Sequence, residues 1–336
     1  MTLDGHFATD SAVAFTGESV ISFGGDGCGQ LNGPCASAVQ YDLKMKQLKS
    51  ISTKGAPAFR GGATALWTGS QMIVWGGYAN LDDGVDGGYE QVTYGDGALY
   101  EPTTDTWTPM SKNGAPFPRG GESSVWSGKE MLIWGGWDET AGVVKVPPEQ
   151  GPPLVMDGGS VSPFPPGDPA LSGARYDPIT DTWSTMSSNG QPSIRANHAA
   201  VWTGTEMIVW GGAVPPFVSA VGNVLSDGGA YNPVTDVWRA IQSAPNTGLT
   251  VATSVWTGTE MLVWGGYDET SYSNRGYGYN PTIDSWQYIT TIGAPEPRVG
   301  AGGVWTGKAF AVFGGTDELP FDDGALWYPD TSDASP

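Results

Sequence analysis

One eleven-residue phrase constrains this chain more than anything else in it. WTGTEMIVWGG, Trp202 to Gly212, returns as WTGSQMIVWGG, WSGKEMLIWGG and WTGTEMLVWGG, more loosely as WTGKAFAVFGG, and opens the chain as FTGESVISFGG. The first aromatic stands nine residues before the first glycine in every copy: Phe15 and Gly24, Trp67 and Gly76, Trp126 and Gly135, Trp202 and Gly211, Trp256 and Gly265, Trp305 and Gly314. Self-similarity at a fixed period is the signature of a fold assembled from repeated supersecondary units. A second block follows the middle copies, with Trp seven residues after Tyr in Tyr100 and Trp107, Tyr176 and Trp183, Tyr231 and Trp238, Tyr279 and Trp286. Copy one keeps a worn version in Tyr41 and Leu48, and copy six reaches Trp327-Tyr328-Pro329.

Each unit reads as four short strands. TALW alternates small and large ahead of a Thr-Gly turn. MIVW is an apolar run of strand length, as expected of a strand covered on both faces. Gly-Gly ends it, where a bare backbone allows positive φ and close approach. The third strand ends in Tyr, Asn-Pro or Asp-Pro opens a turn, and the fourth carries the Trp. Helical periodicity is absent, so the chain is expected to be all-β. With 51 Gly and 26 Pro the composition approaches that of disordered chains, but 15 Trp, 13 Tyr and 10 Phe argue for a packed fold. The charged fraction, 15%, suits strands better than solvated helices.

Four antiparallel strands per unit, paired glycines and a Tyr/Trp couple resemble the kelch-repeat β-propeller family, over nearly the whole chain. The resemblance implies one six-bladed kelch-type propeller, a single domain over 1–336 with blades near 1–60, 61–119, 120–195, 196–249, 250–298 and 299–336. Blade six is expected to be short of its fourth strand, which the Tyr-plus-seven spacing centres on Ser335. Ala8 aligns with Arg60, so Met1 falls just after the place of a preceding fourth strand. Either Thr2 to Phe7 folds back as an outer strand, or blade six keeps an exposed edge, or the chain is a fragment; an exposed edge or a fragment is the expectation.

Strand direction puts the links before strand one and after strand two on one face. The opposite face holds the Thr-Gly and Asn-Pro turns, short and nearly uniform, as a scaffold needs. The two-to-three links, counted from the second Gly to the Tyr, span 16, 23, 40, 19, 13 and 13 residues in blade order. The longest holds VPPEQGPP and SPFPPGDP and is either a disordered surface loop or a stiff wall beside a pocket. Seven residues ahead of the aromatic stand Arg60, Arg119, Arg195 and Arg298, with Ala8 and Leu249 in the other blades. Guanidinium groups gathered near one channel mouth suit carboxylate, sulfate or phosphate oxygens. The plainer reading is that a recurrent Arg satisfies a loop carbonyl or a neighbouring carboxylate, because recurrence is a property of the fold. The kelch resemblance adds that substrate-adaptor propellers hold acidic peptides with arginines at this place.

Three residues after each arginine position the first strand shows Ser11, Ala63, Glu122, His198, Ala252 and Ala301. Glu122 and His198 are therefore the candidate catalytic pair, a carboxylate and an imidazole fit for acid and base, against the plainer reading of channel residues bonded to water. Trp137, Tyr78 and Tyr267 each follow a Gly-Gly, and acids come next in Trp137-Asp138-Glu139 and Tyr267-Asp268-Glu269. Flat aromatic faces beside carboxylates suit sugar rings, or simply pack beneath a loop.

Cys28 and Cys35 fall within one link and can close a small disulfide loop, which favours an oxidising, extracellular or cell-surface setting. The opening MTLDGHFATD has neither a basic start nor an apolar run, so no signal peptide is expected. Zinc would need more His or Cys than His6 and His198. The copper radical oxidases of the kelch fold use two His, two Tyr and a Cys, whereas His6 and His198 stand five repeat positions apart and Cys28 lies in an outer link. No cofactor is expected, though Leu81-Asp82-Asp83-Gly84 and Phe321-Asp322-Asp323 leave calcium open. A net charge of −20 repels nucleic acid and anionic membranes, and no apolar run approaches a membrane span. The expected function is a binding or scaffold module capturing an acidic peptide or an anionic glycan on the arginine-bearing face. The alternatives are a carbohydrate-active lyase, hydrolase or mutarotase, and a purely structural module of a longer protein.

Overall fold

The computed structural model describes residues 10–25, 37–82, 89–137, 173–214 and 224–329, and every regular element among them is a strand. They fall into two compact units, residues 1–186 and 187–336. In the first unit, blade one consists of β1 (Ala12–Phe15), β2 (Ser19–Phe23), β3 (Ala38–Asp42) and β4 (Gln47–Ser50). Blade two has β5 (Thr64–Trp67), β6 (Met72–Trp75), β9 (Gly97–Glu101) and β10 (Thr106–Pro109), with β7 (Tyr78–Asp82) and β8 (Tyr89–Thr93) forming a separate hairpin inside its two-to-three link. Blade three has β11 (Ser123–Trp126), β12 (Met131–Trp134), β13 (Ala174–Asp177) and β14 (Thr182–Thr185).

In the second unit, blade four runs through β15 (Ala199–Trp202), β16 (Met207–Trp210), β17 (Gly228–Asn232) and β18 (Val237–Ile241). Blade five follows with β19 (Thr253–Trp256), β20 (Met261–Trp264), β21 (Gly276–Asn280) and β22 (Ser285–Ile289). Blade six has three strands, β23 (Gly302–Trp305), β24 (Phe310–Phe313) and β25 (Gly324–Trp327). Within each blade neighbours pair antiparallel in chain order, apart from the hairpin insertion. First strands of successive blades lie side by side, β1 with β5 and β5 with β11 in one unit, β15 with β19 and β19 with β23 in the other. That is the propeller arrangement.

Burial follows the sequence pattern. The second strands β6, β12, β16 and β20 are buried at every residue, because each blade is sandwiched and both faces of its second strand meet apolar neighbours. At the hairpin before them, a hydroxyl closes the turn: Glu206 N–H donates to Thr203 Oγ1 and Thr203 N–H to Glu206 O, both at 2.9 Å. The core lies between blades. Phe23 and Ile21 of blade one meet Tyr100 and Trp107 of blade two; Trp75 and Met110 of blade two meet Ile133 and Tyr176 of blade three. In the second unit Trp210 and Ile241 meet Tyr277 and Tyr279, and Trp264 and Ile289 meet Phe310 and Val312.

The Tyr/Trp couple proves to be a three-residue clasp that includes the Asp between them. Tyr100 OH donates to Asp105 Oδ1 at 2.8 Å, the same oxygen accepts Ser52 N–H of the preceding blade at 2.8 Å, and Trp107 Nε1 donates to Ser52 O at 2.6 Å. Tyr176, Asp181 and Trp183 repeat this on Ser111, Tyr231, Asp236 and Trp238 on Ser187, and Tyr279, Asp284 and Trp286 on Gln242. Each Asp sits at positive φ, between 47° and 54°, a conformation that a short polar side chain tolerates. Blade one holds Lys46 and Leu48 at these places and forms no such clasp.

The register corrects the spacing in blade six. Phe310 pairs with Trp327 as Met261 pairs with Tyr279, so Trp327 occupies the Tyr place and is a repeat position, one residue earlier than the sequence pattern suggested. Residues 330–336 and 1–9, where a fourth strand was sought, lie outside the described residues.

Candidate functional site

The face bearing the variable links begins at each Gly-Gly. A Cβ on Gly24 would stand 2.3 Å from Arg60 O, and Gly25 N–H donates to that carbonyl at 2.8 Å. Only glycine allows the next blade's entering link to come so close. Gly77 N–H likewise donates to Arg119 O, Gly212 to Leu249 O and Gly266 to Arg298 O. The residue after the Gly pair then bridges antiparallel to the residue after the arginine position of the same blade: Gly61 with Tyr78, Gly120 with Trp137, Ala196 with Ala213, Thr250 with Tyr267, Val299 with Thr316. The links thus leave from a short, repeated platform.

The four arginines lie inside that platform, each at most 2% exposed. Their Nη1 groups donate to the carbonyl of the first glycine of their own blade: Arg60 to Gly76, Arg119 to Gly135, Arg195 to Gly211 and Arg298 to Gly314, at 3.0–3.2 Å. Their Nε groups donate to the carbonyl two residues back, of Ala58, Phe117, Ser193 and Glu296. Three also pair with the Asp that opens the third strand: Arg60 with Asp96, Arg195 with Asp227, Arg298 with Asp323. Each guanidinium therefore ties the entry of strand one to the end of strand two, and those of Arg60, Arg195 and Arg298 reach the start of strand three as well. Recurrence follows from this bonding alone.

Burial lowers the Arg60 and Arg195 guanidinium values, and the partner Asp opposes this in each case. Burial raises the Asp96 carboxyl, but the charge and hydrogen bond of Arg60, helped by Lys112, outweigh it and hold it below the usual carboxylate range. Arg60 stacks on Tyr94 at 3.8 Å and Arg298 on Phe321 at 3.9 Å. Blade five reverses the pair: buried Leu249 takes the Arg place, and Arg275, in the Asp place, pairs with Asp268. Asp96 and Asp227 were missed by sequence reasoning and Asp323 entered it only as a possible calcium ligand, although each forms an Asp-Gly at the start of a third strand. Their changing distance from the arginine, 36, 32 and 25 residues, hid the pairing.

Glu122 lies in the first unit and His198 in the second. Both Glu122 carboxylate oxygens are buried without a hydrogen-bond partner among the described residues, and a Cβ on Gly76 would meet Oε1 at 2.5 Å. Burial pushes this carboxyl up to about 8, against weaker opposing pulls from its own backbone amide and the Arg119 charge. His198 packs on Gly212; burial first, then the Arg195 charge, lower its imidazole to about 3. At neutral pH both groups are therefore uncharged.

Two of the three aromatic candidates pack against glycine backbone. The Tyr78 ring covers Gly62 and the Trp137 ring covers Gly120. Tyr78 OH donates to Asp10 Oδ2 at 3.0 Å, and Tyr267 OH donates to Glu269 O at 3.1 Å, with Tyr272 edge-on to its ring. Cys28, Cys35 and Asp83-Gly84 lie outside the described residues, as does most of the long blade-three link. Asp323 is bound to Arg298, and among the described residues no three His, Cys, Asp or Glu side chains gather as metal ligands would. Nor is any helix among them long and apolar enough to cross a membrane.

Six repeats of this blade define the β-propeller class, and glycine pairs joined by an Arg latch and a Tyr-Asp-Trp clasp define the kind of blade. A family described as the KLHDC2/KLHL20/DRC7 Kelch-repeats domain matches residues 153–333, more than half of the chain. The chain belongs to the Kelch-repeat family, whose propellers point to protein binding or scaffolding. No curated protein matches it.

Proposed function

We propose that the chain is a protein-binding module that reads a peptide segment of its partner on the face carrying the two-to-three links. The observation that carries this is the contrast between the two ends of the blades. One end repeats the same hydroxyl-closed turns and clasps. At the other, links of different length leave a common platform, and the blade-two link folds as the β7–β8 hairpin. Variable loops on a rigid scaffold are where binding residues collect.

The finer reading is an acidic peptide. Among the described residues, Arg60 and Arg298 each keep a buried Nη2 without a hydrogen-bond partner beside Tyr94 and Phe321, a donor that a carboxylate could take once the ring moves aside. An anionic glycan has less support, since Tyr78 and Trp137 each spend a ring face on glycine. A carbohydrate-active enzyme would work through His198, but an imidazole neutral down to about 3 is a weak proton acceptor at neutral pH.

The test is a display selection of peptides on the immobilised chain, run beside an array that includes acidic sugars. The comparison variant has residues 79–92 replaced by a link of blade-five length. Peptides enriched by the parent and lost on the variant support the proposal. Peptides held equally by both, or sugars alone bound, overturn it.

A further inference from the structure

Val251 is the one β-branched residue at positive φ among the described residues. Its place is two residues after the arginine position, where every blade turns left-handed: Asp10, Gly62, Gly121, Asn197, Val251 and Gly300 have φ of 54°, 59°, 64°, 55°, 55° and 64°. A backbone bond between neighbouring blades goes with the turn. In the first unit Gly62 N–H donates to Asp10 O at 2.9 Å. In the second, Val251 N–H donates to Asn197 O at 2.9 Å and Gly300 N–H to Val251 O at 3.2 Å. Glycine, Asn and Asp tolerate this conformation, whereas a side chain branched at Cβ is strained there. Three further residues other than Gly, Asn and Asp take positive φ, Lys46, Glu269 and Glu318. None of them branches at Cβ, and Glu269 Oε1 accepts Val224 N–H at 2.9 Å.

Glycine would make both backbone bonds of this position equally well, so the valine side chain adds nothing to them. Leu249 and Ala252, on either side, pack into the core between blades four and five, while Val251 is 38% exposed. The chain thus holds an apolar group in a strained conformation without burying it. Strain of this kind collects at ligand clamps, where it is offset by what the side chain grips. The surroundings define that ligand. Thr250 bridges Tyr267, which in turn bridges Tyr272, a ring left partly exposed. On the other side, Gly300 lies two residues past Arg298, whose carbonyl accepts Gly266 N–H at 2.8 Å. Arg298 Nη2 has no hydrogen-bond partner among the described residues. Val251 stands between these, at the seam of blades five and six on the link face.

We propose that Val251 is a specificity-determining residue of the link face, and that it receives an apolar side chain standing beside the carboxylate of the partner's peptide. The carboxylate reaches Arg298, and the apolar neighbour covers the exposed part of the valine. This inference rests on the acidic-peptide reading above and adds the residue next to the acid. Burial of Val251 by the partner offsets a strain that the free chain carries uncompensated.

The test compares the parent with Val251→Asn, which puts blade four's residue at this place, and with Val251→Ile, which keeps a branched apolar side chain. Val251→Asn is expected to melt about 2–4 °C higher, the scale of one relieved residue in a unit of this size. Val251→Ile is expected to melt no higher than the parent. Peptide display selections are run on the parent and on Val251→Asn. The parent is expected to enrich peptides with an aliphatic or aromatic residue within about two places of an Asp or Glu, the reach of neighbouring side chains on an extended segment. Val251→Asn is expected to keep the acid, lose the apolar preference and bind the parent's peptides about tenfold more weakly, whereas Val251→Ile binds them within about twofold. An equal apolar preference and equal affinity in Val251→Asn overturn the proposal and leave the acidic-peptide reading standing. A parent selection without acids overturns that reading and this inference with it. A lower melting temperature in Val251→Asn also overturns the inference, since the chain's own links would then be what buries the valine.

Discussion

At the residue scale, the informative side chains are polar groups that occupy repeat positions and bond to backbone. Asp105 is the clearest, taking a backbone amide of one blade and a phenol of its own at φ 52°. Both bonds hold its carboxyl below the usual range. Asp105→Asn keeps an acceptor and tolerates the left-handed backbone. Asp105→Ala loses both and is expected to cost about 2 kcal/mol in urea unfolding; equal stability of the two variants would refute this role for the carboxylate. Glu122 works in the opposite sense. Its folded value, about 8, lies above the unfolded one, so the folded chain holds a proton that the unfolded chain has released. Stability from this group is full below the ordinary carboxylate value and falls by about 1.4 kcal/mol per pH unit until about pH 8. Unfolding at pH 6 and pH 8 is therefore expected to separate less in Glu122→Gln than in the parent, and an unchanged separation would contradict the assignment.

At the element scale, the second strand and the glycine pair were legible because their spacing is constant in every copy, and the Tyr/Trp couple because it holds in the four middle copies. The Arg–Asp latch was only half legible: the arginine recurs at a fixed distance from the aromatic, while Asp96, Asp227 and Asp323 sit across links of changing length. The β7–β8 hairpin was not legible at all, since YANLD and YEQVT occur in one blade and no repeat marks them. The one-residue slip at Trp327 escaped because Trp327 and Tyr328 are adjacent aromatics, and only pairing register tells them apart. The hairpin forms its own two-stranded sheet, separate from the four strands of blade two. Replacing residues 79–92 by a short link is accordingly expected to shift the melting temperature by no more than about 1 °C, against the roughly 2–4 °C that 1 kcal/mol represents in a unit of this size. A larger drop would show that the hairpin belongs to the core of the blade.

At the scale of the whole molecule, apolar contact between blades and polar clasps at both ends hold the repeats in form. The number of blades could be counted from the sequence, whereas the end proposed to bind followed only from strand direction and from where links vary. Candidate ligand residues were harder to find, because a repeated arginine looks the same in sequence whether it faces solvent or a buried carbonyl. The net charge of −20 acts on any acidic partner as a long-range repulsion, leaving selection to local contacts. The most direct test of the account is a hydrogen-exchange footprint of the chain with a peptide from the display selection. Protection is expected around Tyr78–Thr93 and at the link platform of the other blades, with none at the Thr-Gly turns or the Asn-Pro and Asp-Pro turns. Protection concentrated on those turns would place binding at the opposite end and contradict the account.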